Sequence, residues 1–164
     1  MDTAYDEPST LRWTDGLYGG LAAAVIYTLF EAIAASVYEH RAGFGELGAF
    51  YASSVAGAKA DPNNGLFVAL GYVVFVVVAC LCGIVYATVA SRVGSMVRTP
   101  SSLVWGLVYG LCVWLVLANV FVPLLGMNNT QPLWEALVGS AIFFGFPISE
   151  CVTLLVSSRS HSLS

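Results

Sequence analysis

The chain has 164 residues, 58% hydrophobic and only 10% charged, with a mean hydropathy of +0.80 and a formal net charge of −4. Soluble domains carry about 25% charged residues, which excludes an ordinary water-facing globule, and six Lys and Arg residues give no basic patch for nucleic acid. Length and apolar runs together predict one all-α integral membrane unit, a four-transmembrane-helix bundle over 16–156.

Residues 1–15 read as a solvated acidic tail carrying Asp2, Asp6, Glu7 and Asp15. The start is acidic rather than basic, and the first apolar run is too long for a signal peptide, so it is expected to remain as a spanning helix.

The first span is predicted over 16–38. Gly16, Gly20, Ala24, Thr28, Ala32 and Ser36 recur at four-residue spacing and form a smooth track on which another helix can approach closely. Glu31 projects onto the same face. A carboxyl group within a membrane helix is costly and usually faces a bundle interior.

In the connection that follows, Phe44, Leu47, Tyr51 and Val55 recur at helical spacing, opposite Glu46 and Ser53. The pattern predicts a short amphipathic helix on the outer surface, lying on the leaflet or over the bundle mouth as a lid or partner contact, although Gly43, Gly45 and Gly48 weaken its helical propensity.

The second span, 65–91, opens after the turn cluster Asp61-Pro62-Asn63-Asn64-Gly65 and carries Ala79, Gly83, Ala87 and Ser91 at the same spacing. The third, 102–125, follows Thr99-Pro100-Ser101-Ser102, whose hydroxyls can cap the first N–H groups. It contains Gly106 and Gly110 and ends near Pro123. The pairs Gly16-Leu17/Gly20-Leu21 and Gly106-Leu107/Gly110-Leu111 suggest two parallel hairpin repeats. A hairpin over 126–132, with the glycosylation-type triplet Asn128-Asn129-Thr130, leads to the fourth span, 133–156. That span carries Ala141, Gly145, Ser149 and Thr153 as its small-residue track, and residues 157–164 form the tail. Glu135 sits at the start of the span, where a helix N-terminus favours an acid.

Four spans put both termini on one side. Arg12, Arg92, Arg98 and Arg159 fall on that side against Arg41 and Lys59 on the other, which assigns the termini to the cytoplasm, as in a prokaryotic inner-membrane protein. Trp13, Trp105 and Trp134 fall near helix ends, where indoles anchor at the interface.

Depth separates the two intramembrane acids. Glu31 lies roughly 22 Å above the cytoplasmic start of its helix and Glu150 roughly 9 Å above the end of its own, so they form two sites. Asn119 is the expected partner of Glu31, and Tyr86 is level with Glu150.

His40 and His161 fall at opposite ends of the bundle, so the chain alone is expected to carry no haem, and no metal site is predicted. Contact with lipid or with a partner's cofactor stays open. Cys80, Cys82, Cys112 and Cys151 read as packing residues.

Two functions fit. The first is a non-catalytic accessory subunit of a larger membrane complex, packing through the small-residue faces against other subunits, hetero-oligomeric in preference to homo-oligomeric. The alternative is a small proton-coupled transporter or channel using Glu31, Glu150 or both.

Overall fold

The computed structural model describes residues 11–38, 44–57, 60–98, 100–125 and 133–161. The expectations placed on the acidic residues before position 11, on His40, Arg41 and Lys59, on the Asn128-Asn129-Thr130 triplet and on the His161 side chain lie outside what is described.

The described residues are helical throughout, apart from short turns. Helix α1 is Trp13–Tyr38, α2 is Phe44–Ala56 and α3 is Gly65–Ala90. Helix α4 runs from Ser101 to Leu124 through a π segment at Leu117–Phe121. Helix α5 comprises Leu133–Val138, a π segment at Gly139–Gly145, and Phe146–His161. Four helices are long and apolar enough to cross a membrane: Trp13–Ala34, Gly65–Ala90, Ser101–Leu124 and Leu133–Arg159.

Local chemistry fixes the ends. The Asn64 side chain accepts from Leu66 N–H (3.0 Å) to cap α3, and Asp61 Oδ1 accepts from Asn63 N–H (2.8 Å) in the turn before it. The serines opening α4 act differently from the expected caps. Ser101 Oγ donates to the Arg98 carbonyl (2.6 Å) and Ser102 Oγ donates across the bundle to Glu150 Oε1 (3.1 Å). The preceding 3-10 turn, Gly94–Val97, leaves carbonyls close enough to attract a hydroxyl proton.

Helix α1 begins at Trp13, so Asp15 belongs to its first turn and not to the tail. Asp15 is buried and held by Arg159 near the end of α5, through Nη2 to Oδ1 at 2.7 Å and Nη1 to Oδ2 at 3.2 Å. The two ends of the helical domain therefore meet at one end of the bundle, here the near end.

The small-residue tracks are used within the chain. A side chain at Gly16 would collide with the Gly83 carbonyl and lie 2.8 Å from Ala87 Cβ, and one at Gly20 would lie 2.7 Å from Cys80 Cα. In the second hairpin, a side chain at Gly110 would lie 2.9 Å from Ala141 Cα, and one at Gly145 would lie 2.7 Å from Gly110 Cα. Each hairpin thus closes through a Gly-xxx-Gly pair on its first helix, α1 on α3 and α4 on α5, as the repeated Gly-Leu pairs suggest. Ala24 and Ala32 are buried along the first track, Thr28 is half-buried, and Ser36 at its far end is exposed, its hydroxyl donating to the Ile33 carbonyl.

A second face of α1, set by Gly19, joins the hairpins. A side chain at Gly19 would sit 3.1 Å from the Ile148 carbonyl of α5. Helix α5 touches both α1 and α4, while α1 holds α3 on its other flank. The core lies along this line and includes Ala23, Tyr27, Phe75, Ala79, Tyr86, Phe144, Ile148 and Val152. Large side chains point the other way: Val25, Leu29, Ile33 and Val37 on α1, and Val73, Val77, Leu81, Val85 and Val89 on α3, are all exposed. Small residues inward and bulky ones outward is the pattern of helices packed in lipid.

Candidate functional site

Glu31 is 2% exposed, at the far half of the bundle. Its position follows from the two faces of α1, since the Gly19 face carries α1 alongside α5 and brings Glu31 level with the π segment. Gly139, the first residue of that segment, makes room for it: a side chain there would lie 3.3 Å from Glu31 Oε1. One turn below, the Tyr27 hydroxyl lies within hydrogen-bonding reach of both Glu31 and Ser140. The Tyr27 ring is fixed by Phe75 (centroids 5.5 Å apart) and by the edge of Phe144 (5.9 Å).

Tyr51 completes this shell from α2. Its ring stacks on Phe75 at 4.5 Å and 17°, and its hydroxyl is within reach of Tyr27. Burial, reinforced by the nearby Glu31 charge and the Tyr72 phenol, pushes the Tyr51 phenol well above its ordinary value, so it remains a proton donor.

Asn119 does not join this group. Its Nδ2 donates to the Leu115 carbonyl (2.8 Å) on its own helix and the residue is exposed. The expected Glu31–Asn119 pairing rested on depth alone, whereas α4 packs on α5, which stands between α4 and α1.

Glu150 belongs to a different level. Eleven residues of α5 separate it from Gly139, or roughly 16 Å of helical rise. Its bonded partner is Ser102. Tyr86 lies near enough to interact electrostatically with Glu150, but its hydroxyl donates to the Met96 carbonyl (3.1 Å), it is fully buried, and its ring packs against Tyr109 (5.1 Å). Tyr109 in turn donates to the Cys82 carbonyl (2.5 Å), so these tyrosines tie α3 to α4 and to the turn between them. Glu150 also borders an open apolar groove of about 440 Å³ between α1 and α5, lined by Ala22, Ile26, Phe146, Pro147 and Leu154.

Three features escape the sequence reading. Glu135, read as a helix-start acid, is 2% exposed and lies one turn before Gly139. The π segment has no composition signature. Tyr51 reaches the site because α2 packs along α3. Here Leu47 is buried and Tyr51 half-buried as the periodicity predicts, but Val55 is 67% exposed, and the contact face centres on Gly48 and Ala52. The glycines that weaken the helix are there for contact: a side chain at Gly48 would lie 2.7 Å from Val68 Cγ1. Among the described residues, no three His, Cys, Asp or Glu side chains gather into a metal-holding group.

No protein family matches this chain, and neither a curated protein nor a solved structure matches it.

Proposed function

We propose that the chain is a small proton-coupled carrier or channel of a prokaryotic inner membrane, with both termini in the cytoplasm and Glu31 as the group that takes up and releases the proton. The observation that carries this reading is a fully buried carboxyl group in the far half of the bundle, enclosed by Tyr27, Tyr51 and Ser140. A charge at the centre of a membrane helix costs about 2.5–3.5 kcal/mol on insertion scales, so an acid kept there favours a cycle between a neutral form and a form stabilised by hydroxyl donors. The neighbouring π segment supports the same reading, since π turns recur at functional sites.

The test is proton-coupled flux in liposomes containing the purified chain, followed by a trapped pH dye under an imposed gradient. Glu31→Gln is expected to abolish flux while leaving the protein folded. Unchanged flux in Glu31→Gln would overturn the reading.

A second reading, an accessory subunit of a larger membrane complex, draws on α4. Over Ser101–Val116 this helix fully buries only Ser102, Gly106 and Gly110, and its exposed residues, including Val104, Val108, Leu115 and Val116, are free to face lipid or another subunit. Because the small-residue tracks close the hairpins, any partner would be met by these bulky faces. Isolation in a mild detergent of an assembly of defined stoichiometry supports this reading; a homogeneous monomer argues against it.

A further inference from the structure

We propose that α2 is a lid whose docking on α3 controls access of water to Glu31, with Tyr51 as its latch. The inference rests on the proton-handling reading above and adds to it the route by which the proton arrives.

Three observations converge. The first is the path of α2. A side chain at Gly45 would lie 2.9 Å from the Pro62 carbonyl oxygen, Gly48 faces Val68 and Ala52 faces Gly71, while Tyr51 reaches Phe75. From Val68 to Phe75 is roughly 10 Å of helical rise, so α2 leans along the far part of α3 over the Glu31 level instead of crossing its end. The second is the nature of the seam. Gly48, Ala52 and Gly71 meet backbone to backbone along its middle, with Leu47, Ala49 and Ala52 the small-to-medium side chains of α2 that it buries. The stack of Tyr51 on Phe75 is the aromatic contact described there, and it is made by the same residue that stands over Tyr27 and Glu31. The third is the end of the helix. Gly57 closes α2 in the left-handed region (φ 60°) with nothing within 4 Å of the space a side chain would fill. A glycine there lets the chain turn without a steric stop.

Lifting α2 would remove Tyr51 from the shell and open Glu31 to the side of the membrane that α2 covers. Docking would restore the phenol and close the site. Tyr51 is thus a positioning residue that acts through its ring contact with Phe75.

The experiment measures labelling of Glu31 in the full chain, reconstituted in liposomes, by a water-soluble carbodiimide with glycine ethyl ester as the trapping amine. The product is read by peptide mass spectrometry, with Glu31→Gln as the blank and Glu150 as the internal reference. Tyr51→Ala, which removes the latch, and Ala52→Leu, which wedges the seam, are expected to raise the rate at Glu31 by about tenfold through a more populated local opening, with Glu150 unchanged. Tyr51→Phe keeps the ring and is expected to stay within about twofold of the parent chain. An unchanged rate in both loosened variants overturns the lid, and so does a parallel rise at Glu150, because the loosening is then global. Lid-dependent labelling without any proton flux keeps the lid and removes the proton reading. Flux with lid-independent labelling does the reverse.

Discussion

Asp15 and Arg159, 144 positions apart, form a two-pronged ion pair that joins the first turn of α1 to the end of α5. The carboxylate also accepts from the Arg12 N–H (2.8 Å), so one acid both caps α1 and holds the last span. Removing Arg159 strands the buried Asp15 carboxylate, and removing Asp15 frees a guanidinium that is only part-buried. Asp15→Asn is expected to lower the thermal midpoint in detergent by a few degrees, and Arg159→Ala to do the same. The double variant should fall by less than the sum of the two, as measured by a double-mutant cycle of melting curves.

The glycine seams make a sharper prediction. A Leu at position 20 would have to occupy space held by the Ala79 carbonyl and Cys80 Cα, with backbone on both sides and no flexible group to yield. Gly20→Leu is expected to abolish folding of the chain itself, seen as loss of a monodisperse peak on size exclusion. Ile26→Leu, at an exposed position, should stay within about 0.5 kcal/mol of the parent chain in a denaturation assay.

Ser102 offers a test of the second polar level. Ser102→Ala removes the donor to Glu150 Oε1 while leaving the helix packing of α4 unchanged. The expected loss is about 1 kcal/mol of stability with proton flux retained, because the Glu31 site lies at another depth. A flux defect equal to that of Glu31→Gln would show instead that the two levels work together.

Tyr27→Phe separates packing from chemistry at the main site. The ring contacts with Phe75 and Phe144 survive, and only the hydroxyl within reach of Glu31 and Ser140 is lost. Melting is expected to change little, by about 1 kcal/mol, while proton-coupled flux in liposomes drops several-fold.

Much of this architecture is legible in the sequence, for a simple physical reason. A span must be long and apolar, so expected segments such as 65–91 and 133–156 lie close to Gly65–Ala90 and Leu133–Arg159. Four-residue spacing of small side chains likewise reveals a close-packing face, and Gly16, Gly20, Gly106, Gly110 and Gly145 all lie in seams. What spacing does not encode is which helix comes to which face. Asn119 and Glu31 are level only by counting residues along their helices, and they are held on helices with α5 between them. Gly48 looks like a helix-weakening residue until Gly71 is brought against it from another helix, and Tyr51 enters the site only through that same contact. Pairings of this kind depend on the tertiary arrangement of several elements at once, and a π turn depends on local hydrogen-bond register rather than on composition.

The inversion of side-chain size across α1 and α3 divides the chain into two regimes of mutational freedom. On the inner tracks the backbone atoms of one helix occupy the place where another helix's side chain would be, so a single added methyl group is already a collision at Gly16 or Gly83. On the outer ridges, from Val25 to Val37 and from Val73 to Val89, the exposed residues have no packing partner within the chain to satisfy, and one branched apolar residue is expected to replace another at little cost. Related chains are therefore expected to drift freely along the ridges while holding their glycines, so that descent would be traced more reliably by the spacing of the smallest residues than by overall identity.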